Sequence, residues 1–219
     1  MRVLPILFNS DMVRAILDGR KTVTRRVVKF PVNKFTNKIP TANNVTVYQN
    51  MMRSEKVNFS EKPFYCFDVK PPCQPGDILY VRETWLRIES CIYCMCYSEP
   101  PEQDGCYLYR ATHGDAKGLR WRPSIHMPKA AARIWLKVTN VRVERLQDIT
   151  EEQAKAEGAN WKNGKNVGWE EKMRRTATDR FAELWDSTIK KSNFDRYGWD
   201  ANPWVWRIEF ERCEKPEED

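Results

Sequence analysis

Two things are nearly missing from this chain of 219 residues: long apolar runs and histidine. No stretch reaches the length that crosses a bilayer as a helix. The opening Val3-Leu-Pro-Ile-Leu-Phe8 is too short for a signal-peptide core, is interrupted by Pro5 and is followed by no small-residue cleavage pattern. These absences predict a cytosolic protein with no membrane partner. Only two histidines occur, and His126, beside a proline-bracketed loop, is kept as a secondary candidate because a lone histidine more often holds a structural hydrogen bond than a catalytic role. An internal repeat is also lacking. Seven cysteines, an odd number, in a chain without an export signal exclude a disulfide framework as the first expectation and favour reduced thiols or a metal site.

Acidic residues are scarce in one region. Residues 1–60 hold 11 Lys+Arg against 3 Asp+Glu, a balance of +8 within a total of +7, so the other 159 residues hold 26 against 27, or −1. Such asymmetry suits a polyanionic partner, nucleic acid first, because neutralising phosphates releases counterions; ordinary solubilising charge is the alternative. A hydrophobic content of 41% with nine tryptophans describes a folded chain that can bury one substantial core.

The chemically densest stretch is Leu17-Asp-Gly19-Arg20-Lys21-Thr-Val-Thr24-Arg25-Arg26. A short amphipathic helix from Asp11 to Leu17, capped by Asn9 or Ser10 and ended by Gly19, leads into it. Strands are expected at Val3–Phe8 (buried), Thr22–Phe30, Ile78–Trp85 after the Pro75-Gly76-Asp77 turn, Tyr107–Ala111, Arg133–Leu146 and Trp204–Phe210. Helices are expected from a capping box at Thr150-Glu-Glu-Gln153 to Gly158, and from Trp169 to about Ile189 with Met173, Ala177, Phe181, Leu184 and Trp185 on one stripe. Few, separated helices and no βαβ rhythm predict an α+β fold, a mixed and mainly antiparallel barrel with helices at its ends. The organisation is one domain over 1–213, with excursions at about 31–65 and 88–106 and an acidic tail at 214–219.

In a regular strand Lys21 and Thr24 point to opposite faces, so a joint site needs a turn between them. A threonine hydroxyl becomes a nucleophile only when a base takes its proton, and lysine serves only if its pKa falls from ~10.4 toward neutrality. Arg20, Arg25 and Arg26 push it down, burial does the same, and a close Glu83 opposes both. A lysine that stays charged would instead stabilise an oxyanion, with Glu83 as base. Otherwise Lys21 is a solvated cation and Glu83 an ion-pair partner of Arg25 or Arg26. Cys91, Cys94, Cys96 and Cys106 are four thiols within sixteen residues, enough for a closed structural zinc site, with Cys66 and Cys73 in reserve; scattered free thiols are the alternative. Trp85, Trp121 and Trp135 are candidates to stack on a base, with burial in a small barrel the commoner outcome for tryptophan.

Gly19-Arg-Lys-Thr-Val-Thr-Arg-Arg26, with Pro75-Gly-Asp-Ile-Leu-Tyr-Val-Arg-Glu-Thr-Trp85 downstream, resembles the ASCH domain, a PUA-like β-barrel family. Pro123-Ser-Ile-His-Met-Pro128 and Val143-Glu-Arg-Leu-Gln-Asp-Ile-Thr150 resemble its longer phage and prophage members. The resemblance implies a cleft suited to RNA or a modified pyrimidine nucleoside; the candidate ligand-binding residues of this chain are Arg20, Arg25, Arg26, Trp85, Ser124 and His126. Some small bacterial members are amidohydrolases of N4-acetylcytidine that use a lysine, a threonine and a glutamate, which match Lys21, Thr24 and Glu83 here; no cofactor is implied. Two rival expectations are a non-catalytic RNA-binding module, in which Arg20, Lys21, Arg25 and Arg26 contact phosphates, and a zinc-stapled interaction protein of a phage.

Overall fold

The computed structural model describes residues 1–29, 45–48, 65–68, 70–88, 106–114, 118–159 and 175–217. In chain order the elements are β1 (Val3–Leu7), α1 (Ser10–Leu17), β2 (Val23–Val27), β3 (Val45–Tyr48), β4 (Tyr65–Asp68), β5 (Ile78–Arg82), β6 (Trp85–Ile88), β7 (Cys106–Tyr109), α2 (Arg110–His113), β8 (Trp135–Arg145), α3 (Glu151–Ala156), α4 (Ala177–Thr188), α5 (Phe194–Tyr197) and β9 (Trp204–Cys213). Short 3-10 turns at Ser124–His126, Lys129–Ala131, Leu146–Asp148 and Lys191–Asn193 complete them. The mixture is α+β, and most strand pairs are antiparallel. Among the described residues no closed barrel is found, and no helix is long and apolar enough to cross a membrane.

The residues expected as one domain group into two compact units, each discontinuous in sequence: Met1–Gly19 with Gly76–Lys137 and Glu211–Asp219, and Arg20–Pro75 with Val138–Phe210. In the first unit β5 lies between β1, to which it is parallel, and the start of β8, to which it is antiparallel. The expectation of a buried strand at Val3–Phe8 needs correction. Only Ile6 and Phe8 are buried, and Leu7, which points to the other face of the strand, is 44% exposed; among the described residues β1 lies at the edge of the sheet. Pro5 is tolerated on such an edge. Arg2 gives its backbone N–H and its guanidinium to the carboxylate of buried Asp77 at 2.5–3.1 Å, fixing the register of β1 on β5 just after the Gly76 turn (φ +88). Helix α1 starts where Asn9 accepts from Met12 N and stops where Gly19, at φ +71, donates to Ile16 O, and it buries Val13, Ala15 and Ile16.

In the second unit β9 lies between β8 and β2, and β2 pairs antiparallel to β9 with Thr24 opposite Ile208. The apolar face expected on β9 is present in Trp206, Ile208 and Phe210, but Val205 on the other face is fully buried as well. It packs in a cluster with Leu146, Ile149, Ala154, Phe181 and Trp185. Of the helix expected from Trp169 to about Ile189, the described part is α4, which a capping box at Thr176 and Asp179 opens at Ala177, with Ala177, Phe181 and Trp185 buried and Leu184 packed alongside; Trp169 and Met173 lie outside the described residues. The strand expected over Ile78–Trp85 is two strands, β5 and β6, and Glu83 sits in the gap between them.

Candidate nucleic-acid interface

In the second unit the cations after Gly19 meet the end of α3. That helix closes with Gly158 at φ +85, Gly158 N donating to Lys155 O at 2.9 Å and Ala159 N to Ala154 O at 3.1 Å, the bond pattern of a left-handed glycine cap. Glu157 is left at the last turn with both its carbonyl and its carboxylate available. Lys21 Nζ donates to Glu157 Oε2 at 2.6 Å, Glu157 O at 2.9 Å and Val23 O at 2.7 Å, three acceptors for the three protons of an ammonium, one of them at the negative end of a helix dipole. Arg25 reaches the other oxygen of the same carboxylate at 3.2 Å and also binds Glu144 and Gln153. Its guanidinium lies 5.8 Å from the Phe181 ring centroid. Both cationic side chains have 0% exposure. Burial pushes the Lys21 pKa below its ordinary value; Glu157 opposes the shift by charge and hydrogen bond, and Arg26 and Arg25 add to it. Arg26 is likewise lowered by burial, with Glu157 opposing.

The carboxylate in contact with Lys21 is therefore Glu157, which the sequence expectations did not name. Val23 to Val27 is regular strand with no turn, so Thr24 faces away from Arg25, whereas Lys21 and Arg25 share Glu157. Glu83 belongs to the first unit and Lys21 and Thr24 to the second, and each charged member has a partner of its own unit. Lys21 and Arg25 are not the solvated, phosphate-facing cations that the RNA-binding expectation required. Their charge is spent inside the fold.

In the first unit Glu83 is 1% exposed and accepts Arg133 Nε at 2.9 Å and Nη2 at 3.1 Å, a bidentate pair. The expected partners Arg25 and Arg26 are replaced by Arg133. The Arg133 guanidinium lies 4.0 Å from the centroid of the Tyr109 ring, and Tyr109 donates its hydroxyl to Ala131 O at 2.7 Å. Burial above all pushes that phenol up to about 12, with Arg133 working against it. Glu83 N donates to Met127 Sδ at 3.2 Å, so one residue in the strand gap anchors both ends of the segment from Met127 to Arg133.

The preceding loop is pinned at two more points. Trp85 and Arg122 exchange backbone hydrogen bonds at 2.8 and 3.2 Å, and Arg82 donates to Ile125 O. Trp85, expected to stack on a base, is instead 4% exposed within a cluster of Tyr109, Met127 and Ala131, and the Arg122 guanidinium lies 5.5 Å from its ring centroid. Arg120, Arg122, Ile125, His126 and Lys129 are exposed, Ser124 half-buried. From residue 118 to residue 137 there are five Lys+Arg and no Asp or Glu. A charge count in short windows finds this segment, while the whole-chain division at residue 60 averages it away.

Cys91, Cys94 and Cys96 lie outside the described residues, and Cys106 is described only as the first residue of β7. Cys73 is buried and is not in a disulfide. No family model, curated protein or solved structure matches this chain.

Proposed function

We propose that this chain is a cytoplasmic protein of the ASCH type, with a PUA-like barrel, that binds RNA or a modified pyrimidine nucleoside through the loop of residues 120–129. The observation that carries this reading is the exposed, acid-free run Arg120, Arg122, His126 and Lys129, held by three pinning contacts on a buried aromatic base. Single-stranded RNA is recognised by cations that follow the backbone and by planar groups that stack on splayed bases. Arg122, oriented by the Trp85 ring, offers both charge and a flat face, and its pre-organisation reduces the ordering cost on binding. The test is fluorescence anisotropy of a short labelled single-stranded RNA. The double variant Arg122→Ala/Lys129→Ala should lose most of the binding at moderate salt while keeping the fold, and unchanged affinity would remove the loop from the interface.

A second reading, amide hydrolysis of an N4-acetylcytidine-type substrate, is favoured by one observation: a buried lysine whose pKa is lowered and which has a carboxylate at 2.6 Å to take its proton. In that reading Lys21 and Glu157 handle the proton and Thr24 or water attacks. The complete enclosure of Lys21 ranks it behind binding. Incubation with N4-acetylcytidine, read by the mass lost on deacetylation, separates the two. Turnover abolished by Lys21→Arg supports hydrolysis, because a guanidinium does not give up its proton near neutral pH; no turnover by the intact protein leaves binding alone.

A further inference from the structure

We infer that the second unit carries a separate pocket for a mononucleotide, at the junction of the C-terminal end of α3 and the N-terminal end of α4. A cavity of about 530 Å³ opens there, within the size range of small-ligand sites. The half-buried Ala156 gives it a shallow apolar wall, against which a flat ring can lie without displacing a larger side chain. Arg20, Lys155 and Arg175 bring three cations from three separate segments to the same space.

Among the described residues Glu151 is the one carboxylate in the lining, and it is committed elsewhere. Its two oxygens accept from Ala177 N at 2.9 Å and Thr178 N at 3.0 Å, closing the first turn of α4. Burial alone would raise its pKa, but these backbone bonds outweigh it and hold the group at about 2. It therefore stays ionised and spends its charge on the positive end of a helix. Among the described lining residues three cations stand against one carboxylate, and with Glu183 paired to Arg175 the balance stays positive, which complements a phosphate monoester of charge about −1.5 to −2 near neutral pH. Arg175 also pairs with the exposed Glu183 through Nη1. Cations, apolar wall and volume together select a phosphate that carries a planar ring, and they disfavour a neutral nucleoside.

The described residues that line the pocket all belong to the second unit, so the inference does not depend on the RNA-binding loop of the first. Titration calorimetry with cytidine and adenosine 5′-monophosphates, cytidine, ribose 5-phosphate and inorganic phosphate tests it on the intact chain. At least one monophosphate should saturate the protein. Cytidine and ribose 5-phosphate should each bind about tenfold more weakly or worse, and Lys155→Glu should weaken the monophosphate by about tenfold or more, the loss expected for one charge-assisted contact. Lys155 is exposed on α3, so this change is compatible with the fold, and Arg20→Ala provides a second probe. Arg122→Ala should leave monophosphate binding unchanged, which separates failure of this pocket from failure of the loop. The inference is overturned if neither monophosphate saturates at millimolar concentration, if both Lys155→Glu and Arg20→Ala bind normally, or if ribose 5-phosphate or inorganic phosphate binds as tightly as the nucleotides.

Discussion

Each unit buries an ion pair, and the two are built in opposite senses. At Glu83–Arg133 the carboxylate is sealed, at 1% side-chain exposure, while the cation keeps 27%. At Lys21–Glu157–Arg25 the cations are sealed at 0%, and the carboxylates keep what little exposure remains, 5% for Glu157 and 13% for Glu144. A sealed anion with a half-exposed cation leaves positive charge at the surface to meet a ligand. A sealed cation has been neutralised within the fold, and its value is structural. Lys21 and Arg25 of the N-terminal block and Arg120, Arg122 and Lys129 of the 118–137 segment count alike in a charge tally, yet the first two are sealed and the last three are exposed.

The largest test of this contrast is Glu157→Gln. It leaves Lys21 and Arg25 buried without their shared anion and should cost ~3–5 kcal/mol in denaturant unfolding. Lys21→Met, which removes the buried charge at similar volume and leaves Glu157 to Arg25, should cost distinctly less. Equal losses would mean that the charge pair is not what Glu157 supports. Next in size is Glu83→Gln. Arg133 can turn part of its charge to water, so the expected loss is smaller, ~1–3 kcal/mol, and the loop it anchors should become more susceptible to proteolysis between Arg120 and Arg133. A loss matching that of Glu157→Gln would erase the distinction between the two pairs.

Smaller again is Glu151→Ala, which leaves the Thr176 cap but removes the acceptor of the Ala177 and Thr178 amides in the first turn of α4, and should cost ~1 kcal/mol at neutral pH. Its pH dependence has a definite sign. The native carboxyl is held at about 2 against an ordinary value of 4.5, so the stabilisation is fully present above 4.5 and is lost as pH falls from there toward 2. The gap between the intact protein and the variant, followed by chemical denaturation across that range, should close. A gap independent of pH would mean that the ionised carboxylate is not what stabilises those amides.

Much of the local structure was legible. Asn9 and Gly19 delimit α1, Thr150 and Gly158 delimit α3, and alternation marks β8 and β9, because caps and side-chain period act over a few residues. What was illegible is long-range. Glu157 lies 136 residues from Lys21 and Arg133 lies 50 residues from Glu83, and nothing in either local pattern specifies the partner. The break between β5 and β6 was hidden for the same reason: Ile78 to Trp85 carries no glycine or proline to mark it, and the interruption coincides with the contacts of Glu83 to Arg133 and Met127. At the site, the chemistry of individual residues suggested what Lys21 could do if it were exposed, but burial is decided by packing among α3, β2 and α4, which no single segment encodes.

The central claim is that the first unit's loop, and not the buried N-terminal cations, carries the charge that meets RNA. The most direct measurement is the salt dependence of affinity for a short single-stranded RNA, compared between the intact protein and Arg122→Ala, whose own stability should change by no more than ~0.5 kcal/mol. Each phosphate contact removed should flatten the slope of log K against log salt by ~0.7. The account predicts that flattening for Arg122→Ala, and again for Lys129→Ala. A slope unchanged by both variants, or no binding by the intact protein at low salt, would contradict it.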